Sequence, residues 1–358
     1  EWIMAYTTID KPSDYFNTLI WTGNGGSSRA ISGLGFQPDW SWFKERSGAE
    51  DFMLFDSVRG ATKRILSNST AAETDSGADR RLLSFDSDGF TVGLDNGING
   101  SSKTYVGWNW KAGTSFTNDA SSTGIGSVDS TGSVNTDAGF SIINVVKNNT
   151  TAHTVAHGLG AVPQMIIGKS RTGGSYRWIV YHKDIGNTHA LYLNENFAKT
   201  DSVTFWNDTT PTSSVFSLGT DNSWNGTSIF YCFAEKKGYS KFGTYVGNGN
   251  ADGTFVYTGF KPAWVLFKNS GTANRQWQLL DNKRSSSGGN NVINITISPN
   301  NARDESWWGT NTYADFLSNG FKLRNSYDGV NESGGTYVYM AFAENPFTTS
   351  SGIPACAR

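Results

Sequence analysis

Two acidic motifs in this sequence could bind a cation or a polar ligand. The first is Asp86-Ser87-Asp88-Gly89, whose clustered carboxylates suit a hard cation such as Ca²⁺. The same residues also suit a hairpin turn, because Asp and Gly supply the left-handed backbone geometry of such turns. The second is an Asp-x-x-Arg pair, which occurs as Asp56 with Arg59 and again as Asp281 with Arg284. It could bind a polar group, or it could cap its own turn through a local Asp–Arg contact.

Residues with the spacing of an enzyme active site are not found. The sequence has no Gly-x-Ser-x-Gly motif, no Walker loop and no Gly-x-Gly-x-x-Gly before a helix. Glu235 and Glu344 recur at the same strand end, but the Glu-x-Asp-x-Glu pattern of a glycosidase strand is missing. We therefore expect a protein that is not an enzyme and that needs no cofactor.

Metal-ligating residues are few. The 4 histidines are His153, His157, His182 and His189. His153 and His157 could share one strand face, but the spacing gives no reason for the other two to converge with them, as a zinc site requires. Cys232 lies in an apolar run and Cys356 lies far away in a tail, so neither a disulfide framework nor a metal knuckle is expected.

One turn-and-strand motif occurs three times along the chain, which indicates internal repeats. Each copy is a Gly-apolar-x-Pro turn that leads into a strand ending in Lys, and Pro and Lys are six residues apart each time. The copies are Gly35 to Lys44, Gly160 to Lys169 and Gly259 to Lys268. Each is followed by an alternating strand and closes on an aromatic strand, at residues 105–110, 229–233 and 337–342. The chain therefore contains three copies of a unit of about 100 residues.

The repeats predict an all-β fold of three β-sandwich units of the jelly-roll or lectin-like type. The first copy contains about eight short alternating runs separated by turn residues, as such sandwiches do. We place the copies at residues 1–113, 139–240 and 241–347, with a C-terminal tail at 348–358. Residues 114–138 are rich in Ser, Thr, Gly, Asn and Asp, and we predict a flexible or surface-laid linker there.

Comparison of the copies favours a structural role for the acidic motifs. The third copy has Leu317-Ser318-Asn319-Gly320 at the place of the acidic loop, so the turn is kept and the carboxylates are lost. The second copy has His182 and Ile185 where the others have Asp and Arg. The first copy has Ala112 where the others have the strand-end Glu. We therefore interpret these motifs as parts of the framework.

Aromatic residues supply the candidates for a binding surface. Aromatic positions that recur among the copies are interpreted as core. Aromatic residues in polar loops could instead stack on sugars or anchor a partner. Four tryptophans fit that description: Trp206, Trp224, Trp307 and Trp308. The alternative is that these four rings cap the ends of the sandwiches.

Composition excludes two further classes of function. The chain has 29 Lys+Arg against 31 Asp+Glu and a net charge of -2, which lacks the basic excess of a nucleic-acid-binding surface. No apolar run approaches the ~18 residues of a membrane-spanning helix, so no membrane insertion is expected. The first residues lack a basic segment followed by an apolar one, so no signal peptide is expected.

Several segments form a recognisable set. They are Ala5 to Asp10, Trp21 to Gly25, Phe36 to Asp39, Phe55 to Ala61, Ser84 to Phe90, Gly107 to Ala112, Glu344 to Phe347 and Gly352 to Pro354. The set resembles a domain of tail-fibre-like and other virion proteins of marine and cyanobacterial phages. The resemblance is dense in the first copy and at the end of the chain and thin in the second copy. It implies a lectin-like sandwich with a structural or surface-binding role, and it supplies no catalytic residues.

The sequence thus predicts a non-enzymatic structural protein exposed on the surface of a bacteriophage virion, as a capsid decoration or a tail fibre or spike component. Expected partners are other virion proteins of the capsid or tail, and the chain could form a homotrimer. The alternative is a receptor-binding module that recognises a host surface glycan. A glycan hydrolase is a third and disfavoured alternative.

Overall fold

The computed structural model describes residues 6–75, 77, 80–147, 151–285, 291–309 and 311–354. Cys356 and the end of the expected tail lie outside these residues, as do residues 1–5. The described residues form an all-β protein, as predicted. Their helices are α1 (Asn96–Asn99), α2 (Ala120–Thr123), α3 (Val203–Trp206) and α4 (Asp328–Asn331), with 3-10 turns at Pro12–Asp14 and Asn222–Trp224.

In the part of the chain described here, none of the helices is long and apolar enough to span a membrane.

The first nine strands form two antiparallel sheets, which we call the first sheet pair. The strands are β1 (Phe16–Thr22), β2 (Arg29–Ser32), β3 (Trp40–Glu45), β4 (Met53–Asp56), β5 (Lys63–Leu66), β6 (Thr74–Asp75), β7 (Leu82–Asp86), β8 (Gly89–Val92) and β9 (Thr104–Trp110). The main sheet has the order β1-β9-β3-β4-β5-β6, and the smaller sheet has the order β2-β8-β7.

The next ten strands form the second sheet pair. They are β10 (Thr114–Asn118), β11 (Ser130–Asn135), β12 (Phe140–Lys147), β13 (His153–Ala156), β14 (Met165–Ser170), β15 (Ile179–His182), β16 (His189–Tyr192), β17 (Thr200–Asp201), β18 (Val215–Leu218) and β19 (Gly226–Phe233). The main sheet has the order β10-β11-β12-β19-β14-β15-β16-β17, and β13 pairs with β18 in the smaller sheet.

The last eight strands form the third sheet pair. They are β20 (Ser240–Val246), β21 (Phe255–Tyr257), β22 (Phe260–Asn269), β23 (Gln278–Asp281), β24 (Val292–Ile293), β25 (Ala314–Leu317), β26 (Gly320–Leu323) and β27 (Thr336–Pro346). The main sheet has the order β20-β27-β22-β23 and the smaller sheet the order β21-β26-β25-β24. The register of β22 against β27 shifts at Pro262, which has no N–H to donate to the ladder.

The three main sheets share a strand order. In each, the closing aromatic strand lies between the opening strand and the strand that follows the recurring proline, as in β1-β9-β3, β12-β19-β14 and β20-β27-β22. Corresponding residues also pair alike, since Trp40 faces Trp110 and Met165 faces Phe233. The recurring sequence motifs therefore occupy equivalent strands.

The segment predicted as a linker is instead part of the second main sheet. Thr114–Asn118 pairs with Ser130–Asn135, which in turn pairs with β12. The low apolar content of this segment misled the prediction, because an outer hairpin has little apolar surface to bury. Asp119 caps α2 between these strands by accepting from the Ser122 backbone N–H at 3.1 Å. The hairpin covers the β12 edge, which would otherwise present unpaired backbone groups.

One apolar cluster is shared by all three main sheets. It contains the alternate residues of the central strands, including Trp40, Trp110, Tyr231 and Trp264. The Trp40 ring centroid lies 4.4 Å from that of Tyr231, and the Trp110 centroid lies 5.6 Å from that of Trp264. Aromatic rings from three parts of the chain thus pack against one another in a common core, which we call the central core.

The opposite face of each main sheet packs on its own smaller sheet. Phe43 and Phe90 belong to the cluster of the first sheet pair, with ring centroids 4.7 Å apart. Equivalent clusters form in the second and third pairs. Strand β3 is consequently buried at every position. Both faces of the central strands therefore carry large apolar residues, and strict apolar–polar alternation is lost.

Candidate functional site

Two of the four candidate tryptophans are buried, and the prediction that they bind a ligand is corrected here. Trp206 is 2% exposed and Trp224 is 0% exposed. Their ring centroids lie 5.6 Å apart in the apolar cluster of the second sheet pair. Ser202 caps the helix that carries Trp206, and Asp221 caps the 3-10 turn that carries Trp224. The polar neighbours thus cap the backbone while both rings lie in the apolar cluster.

Trp307 and Trp308 differ from this pair. Trp307 is 56% exposed, and the Arg303 guanidinium lies 3.4 Å from its ring centroid, in a cation–π contact. Trp308 is half-buried, and its ring centroid is 5.4 Å from that of Tyr327. Of the four candidates, Trp307 is the one whose ring a ligand can reach without a change in the fold.

The loop that carries Trp307 is fixed from two sides. Glu305 accepts three hydrogen bonds from Arg46 of the first sheet pair, at 2.8, 2.9 and 3.1 Å. Asp304 accepts from the Ser306 hydroxyl at 2.6 Å, and this hydrogen bond is the main cause that lowers the pKa of Asp304. The exposed ring therefore sits on an ordered loop beside the boundary between the first and third sheet pairs.

At the boundary between the first and second main sheets, charged side chains form a buried chain that the sequence analysis did not predict. The Arg59 guanidinium donates to Asp56 and, at 3.2 Å, to Glu73. Arg171 from the second sheet pair donates to the same Glu73 carboxylate through two bonds of 2.9 Å. The Tyr231 hydroxyl donates to Asp56 at 2.7 Å. Burial and the Asp56 charge raise the pKa of Tyr231, so this hydroxyl stays protonated and able to donate.

The boundary between the third and first main sheets repeats this arrangement with different residues. Arg284 donates to Asp281 and forms a 3.7 Å ion pair with Glu305. Arg46 donates to Glu305, as described above, and the Trp108 indole donates to Asp281 at 3.0 Å. The Asp-x-x-Arg pairs therefore cap their own turns, as expected. They are fully buried, and each Asp also accepts a hydrogen bond from another sheet pair, so their contacts extend beyond the local turn.

Among the described residues, the boundary between the second and third main sheets has hydrogen bonds in place of this chain of charges. His182 Nε2 donates to the Tyr339 backbone oxygen at 3.2 Å, with the proton on that nitrogen. The Lys199 backbone N–H donates to the Ser270 oxygen at 2.9 Å. Equivalent backbone bonds close the other two boundaries, from Glu73 to Arg171 at 3.1 Å and from Glu305 to Arg46 at 3.2 Å. Each boundary therefore uses the same positions, although the residues differ.

The lysines that end the recurring motif are buried beside these boundaries. Lys44, Lys169 and Lys268 are each 0% exposed and donate to backbone oxygens. Lys169 reaches Thr70 of the first sheet pair at 2.9 Å, and Lys268 reaches Asn196 of the second at 3.5 Å. Burial lowers the pKa to about 8 for Lys44 and Lys169 and to about 7 for Lys268. The constant spacing between proline and lysine in the sequence marks the three lysines that make these contacts.

The acidic loop forms the predicted hairpin turn. Asp86 pairs with Gly89 across the turn and accepts from the Thr91 hydroxyl at 2.7 Å. Asp88 accepts from the Gly33 and Gly35 backbone N–H groups at 3.0 and 2.6 Å. Both carboxylates therefore serve the framework. Across the described residues, no group of three or more His, Cys, Asp or Glu is placed to hold a metal ion.

Three other residues that could take part in a reaction, Glu235, Glu344 and Cys232, are held in structural contacts. Glu235 accepts from Lys241 at 2.7 Å, and Glu344 forms a 3.1 Å ion pair with Lys261. Cys232 is buried, and burial raises the pKa of its thiol, so the reactive thiolate is disfavoured. The arrangement around these groups can stabilise sheets, and it offers no paired acid and base.

Comparison with known proteins identifies a family for nearly the whole chain. Residues 11–346 match the family described as Domain of unknown function (DUF7483), a range that includes all three sheet pairs. No curated protein and no solved structure matches the sequence. The chain therefore belongs to the DUF7483 family.

Proposed function

We propose that this chain is a non-enzymatic structural protein exposed on a bacteriophage particle, as a capsid decoration or a component of a tail fibre or spike. The observation that carries the proposal is the central core, where three main sheets of one chain pack around the same aromatic cluster. A chain of this kind is a rigid block with three related outer surfaces. Such a block suits a repeated position on a particle lattice.

We further propose that the three sheet pairs are copies of one β-sandwich unit of the jelly-roll or lectin-like type. Equivalent side-chain contacts support this. In each pair an asparagine accepts from the backbone N–H of the residue that opens the alternating strand. The bonds run to Asn68, Asn194 and Asn300, at 3.0, 2.8 and 3.1 Å. Duplication of one unit preserves such contacts at matching positions while the residues around them diverge.

The partners proposed are other virion proteins of the capsid or tail. Because the central core is filled within a single chain, a homotrimer would have to use the outer surfaces instead. The boundary contacts favour a fixed relative position of the three units, since buried ion pairs and hydrogen bonds are costly to break singly. A rigid exposed component of this kind needs neither a cofactor nor a reacting group.

The test is to locate the chain on intact particles. A short peptide epitope inserted between Asn250 and Ala251, both exposed, would be labelled with antibody and viewed by electron microscopy. We expect regular labelling of the capsid or of the tail, with untagged particles as the control. Absence of the chain from purified particles, by mass spectrometry and by labelling, would overturn the proposal.

A second candidate function is recognition of a host surface glycan, favoured by the exposed Trp307 ring with Arg303 stacked on it. A glycan array with wild type, Trp307→Ala and Trp308→Ala tests it. We expect Trp307→Ala to lose at least tenfold in affinity, and Trp308→Ala to lose less because its ring is half-buried. Phe255→Ala is the control, since Phe255 is 44% exposed on the same sheet pair. Failure of the wild type to bind any host glycan excludes this function, and release of oligosaccharide would indicate a hydrolase.

A further inference from the structure

The second sheet pair contains a groove of about 320 Å³ beside its boundary with the first. Two buried aromatic residues, Tyr192 and Phe205, line it together with the more exposed Tyr176, Arg177, Glu195 and Asp221. The volume falls at the lower end of the range typical of small-molecule sites, about 300–1,000 Å³. The groove is concave, and its lining combines buried rings with charged groups.

Aromatic faces and a cation lie together at this groove. The Arg177 guanidinium is 5.3 Å from the Tyr192 ring centroid and 5.5 Å from that of Phe197. Phe197 is 40% exposed although it is large and apolar. Tyr192 and Phe205 are only 7% and 8% exposed, so the ring among the lining residues on which a ligand can stack is that of the more exposed Tyr176.

The polar groups of the groove have capacity left for a ligand. Among the described residues, the hydrogen bonding of Arg177 is limited to one 3.4 Å bond from Nε to Glu195. Asp221 Oδ1 accepts from the Ser223 backbone N–H at 2.8 Å, while Oδ2 has only a long 3.4 Å contact with the Thr204 hydroxyl. Donors and acceptors are therefore both available, and two carboxylates against one guanidinium disfavour an anion.

One position of the groove differs among the three sheet pairs. At the position of Tyr176 the third pair has Arg275, whose guanidinium is paired with Glu332 at 2.7 Å and Asp328 at 3.1 Å. The first pair has Glu50 there. The neighbouring contact of Asn194 with the Trp178 backbone is nevertheless kept in all three pairs. This contact is thus constant, whereas the aromatic ring two residues before Trp178 occurs only in the second pair.

We propose that this groove binds a neutral saccharide, at a site separate from Trp307 and independent of where the chain sits on a particle. A sugar ring has an apolar face to stack on the Tyr176 ring. Its neighbouring hydroxyls can donate to Glu195 and Asp221 and accept from Arg177, which satisfies every free polar group named above. A phosphorylated or acidic ligand meets two carboxylates, and an amine meets Arg177.

The test is an array of neutral, acidic and amino sugars probed with the full chain, followed by titration calorimetry on the best ligand. We expect neutral sugars to bind, and Arg177→Ala to weaken binding at least tenfold. The matched control is Arg324→Ala, because Arg324 also pairs through Nε with a carboxylate, Asp315, at 3.4 Å and is similarly exposed. Arg324→Ala should bind as wild type does.

A second variant guards against a loss of fold. Tyr176→Phe removes one hydroxyl only, and we expect it to weaken binding severalfold with an unchanged thermal midpoint. Three results overturn the proposal: no neutral sugar binds, acidic or amino sugars bind best, or binding survives Arg177→Ala and Tyr176→Phe. If binding is lost in Trp307→Ala alone, the glycan site belongs to the Trp307 loop and the groove does not bind the sugar. The labelling result on particles changes none of these outcomes.

Discussion

A tryptophan in a polar stretch of sequence can still be a core residue. Trp206 and Trp224 are flanked by Asn, Asp, Ser and Thr, yet both are buried. The flanking side chains cap short helical turns, and a single turn is enough to direct one ring inward while its neighbours face water. Periodicity carries no information over so short an element. Burial of these rings is therefore set by the capped turns that carry them, whereas Trp307 lies exposed on its loop.

The indole N–H groups of two core tryptophans differ in hydrogen bonding, and this difference predicts a difference in stability. Trp277 and Trp264 both belong to the central core and are 1% and 0% exposed. Trp277 donates to the Tyr192 backbone oxygen at 2.8 Å, while the Trp264 N–H has no hydrogen-bond partner among the described residues. Trp→Phe leaves a similar cavity at both positions. Only at Trp277 does it also remove a hydrogen bond, one of two that the Tyr192 oxygen accepts, since the Glu195 backbone N–H donates to it at 3.3 Å. Loss of that bond costs about 0.5–1.5 kcal/mol more.

We therefore expect Trp277→Phe to lower the free energy of unfolding more than Trp264→Phe, by about 0.5–1.5 kcal/mol. Urea denaturation followed by tryptophan fluorescence and circular dichroism measures the difference. Equal losses in the two variants would show that the indole hydrogen bond contributes nothing at this boundary.

His182 predicts a dependence of stability on pH. Burial lowers its pKa to about 4, from 6.5 in the unfolded chain. The folded state thus binds fewer protons than the unfolded state between these values. The stability contribution is complete above pH 6.5 and falls as the pH drops toward 4, by about 3 kcal/mol in total. His157, whose pKa burial also lowers to about 4, adds to the same slope.

His182→Gln removes this titration while its amide can still donate to the Tyr339 oxygen. We expect a smaller fall in the free energy of unfolding between pH 6.5 and 4.5 than in wild type. Denaturation curves at both pH values measure it, with His157→Gln as the comparison. An identical slope in wild type and His182→Gln would mean that His182 is not kept neutral by burial.

At the scale of elements, the repeated motif was informative because each residue in it has a fixed task. The proline precedes the strand in the first two copies and shifts the register of β22 in the third. The residues that follow it alternate between two cores, and the lysine is buried at a boundary. Equal spacing therefore located equivalent strands in all three main sheets. The outer hairpin β10–β11 was missed for the opposite reason. Its residues pair through the backbone, which every sequence can do, and its side chains carry almost no apolar pattern.

Arg171 provides a test of the boundary between the first and second sheet pairs. Arg171 and Glu73 are each 13% exposed. Arg171→Ala removes two charge-assisted hydrogen bonds and leaves Glu73 with Arg59 as its ionic partner, so it should lower the free energy of unfolding by about 2 kcal/mol. The control is Arg177→Ala, since the Arg177–Glu195 pair is half-exposed on the arginine side and should cost less than about 1 kcal/mol.

A double-mutant cycle with Glu73→Gln separates the pair from its surroundings. Arg171→Ala combined with Glu73→Gln should cost clearly less than the sum of the two single changes, because the double variant leaves no charge unpaired at that contact. Chemical denaturation of the four proteins gives the coupling energy. Strict additivity would mean that Arg171 and Glu73 do not interact in solution.

At the scale of the whole molecule, the central core was beyond the sequence argument. The recurring aromatic residues were correctly assigned to a core, but their sequence could not distinguish three separate cores from a shared one. That distinction depends on which face of each main sheet meets the other two. The boundary residues were equally hard to assign, since Asp56 and Tyr231 are 175 residues apart and meet only when two sheet pairs pack together. A pattern read within one copy cannot report contacts made between copies.

The shared core predicts that the three sheet pairs unfold together. Trp40 stacks on Trp110 of its own sheet pair and, at 4.4 Å, on Tyr231 of the second, so loss of one pair exposes aromatic surface of the others. Calorimetry should give one transition with a ratio of calorimetric to van't Hoff enthalpy of about one, whereas three independent units would give a ratio of about three.

Trp40→Ala, which removes a ring common to two sheet pairs, should lower the midpoint of that single transition and leave it unsplit, at a cost of about 3–5 kcal/mol. Trp224→Ala, confined to the second pair, is the matched control of similar burial and should also shift one transition. Resolved separate transitions in wild type, or a Trp40→Ala profile in which one part melts while the rest is unchanged, would show that the central core does not couple the three pairs.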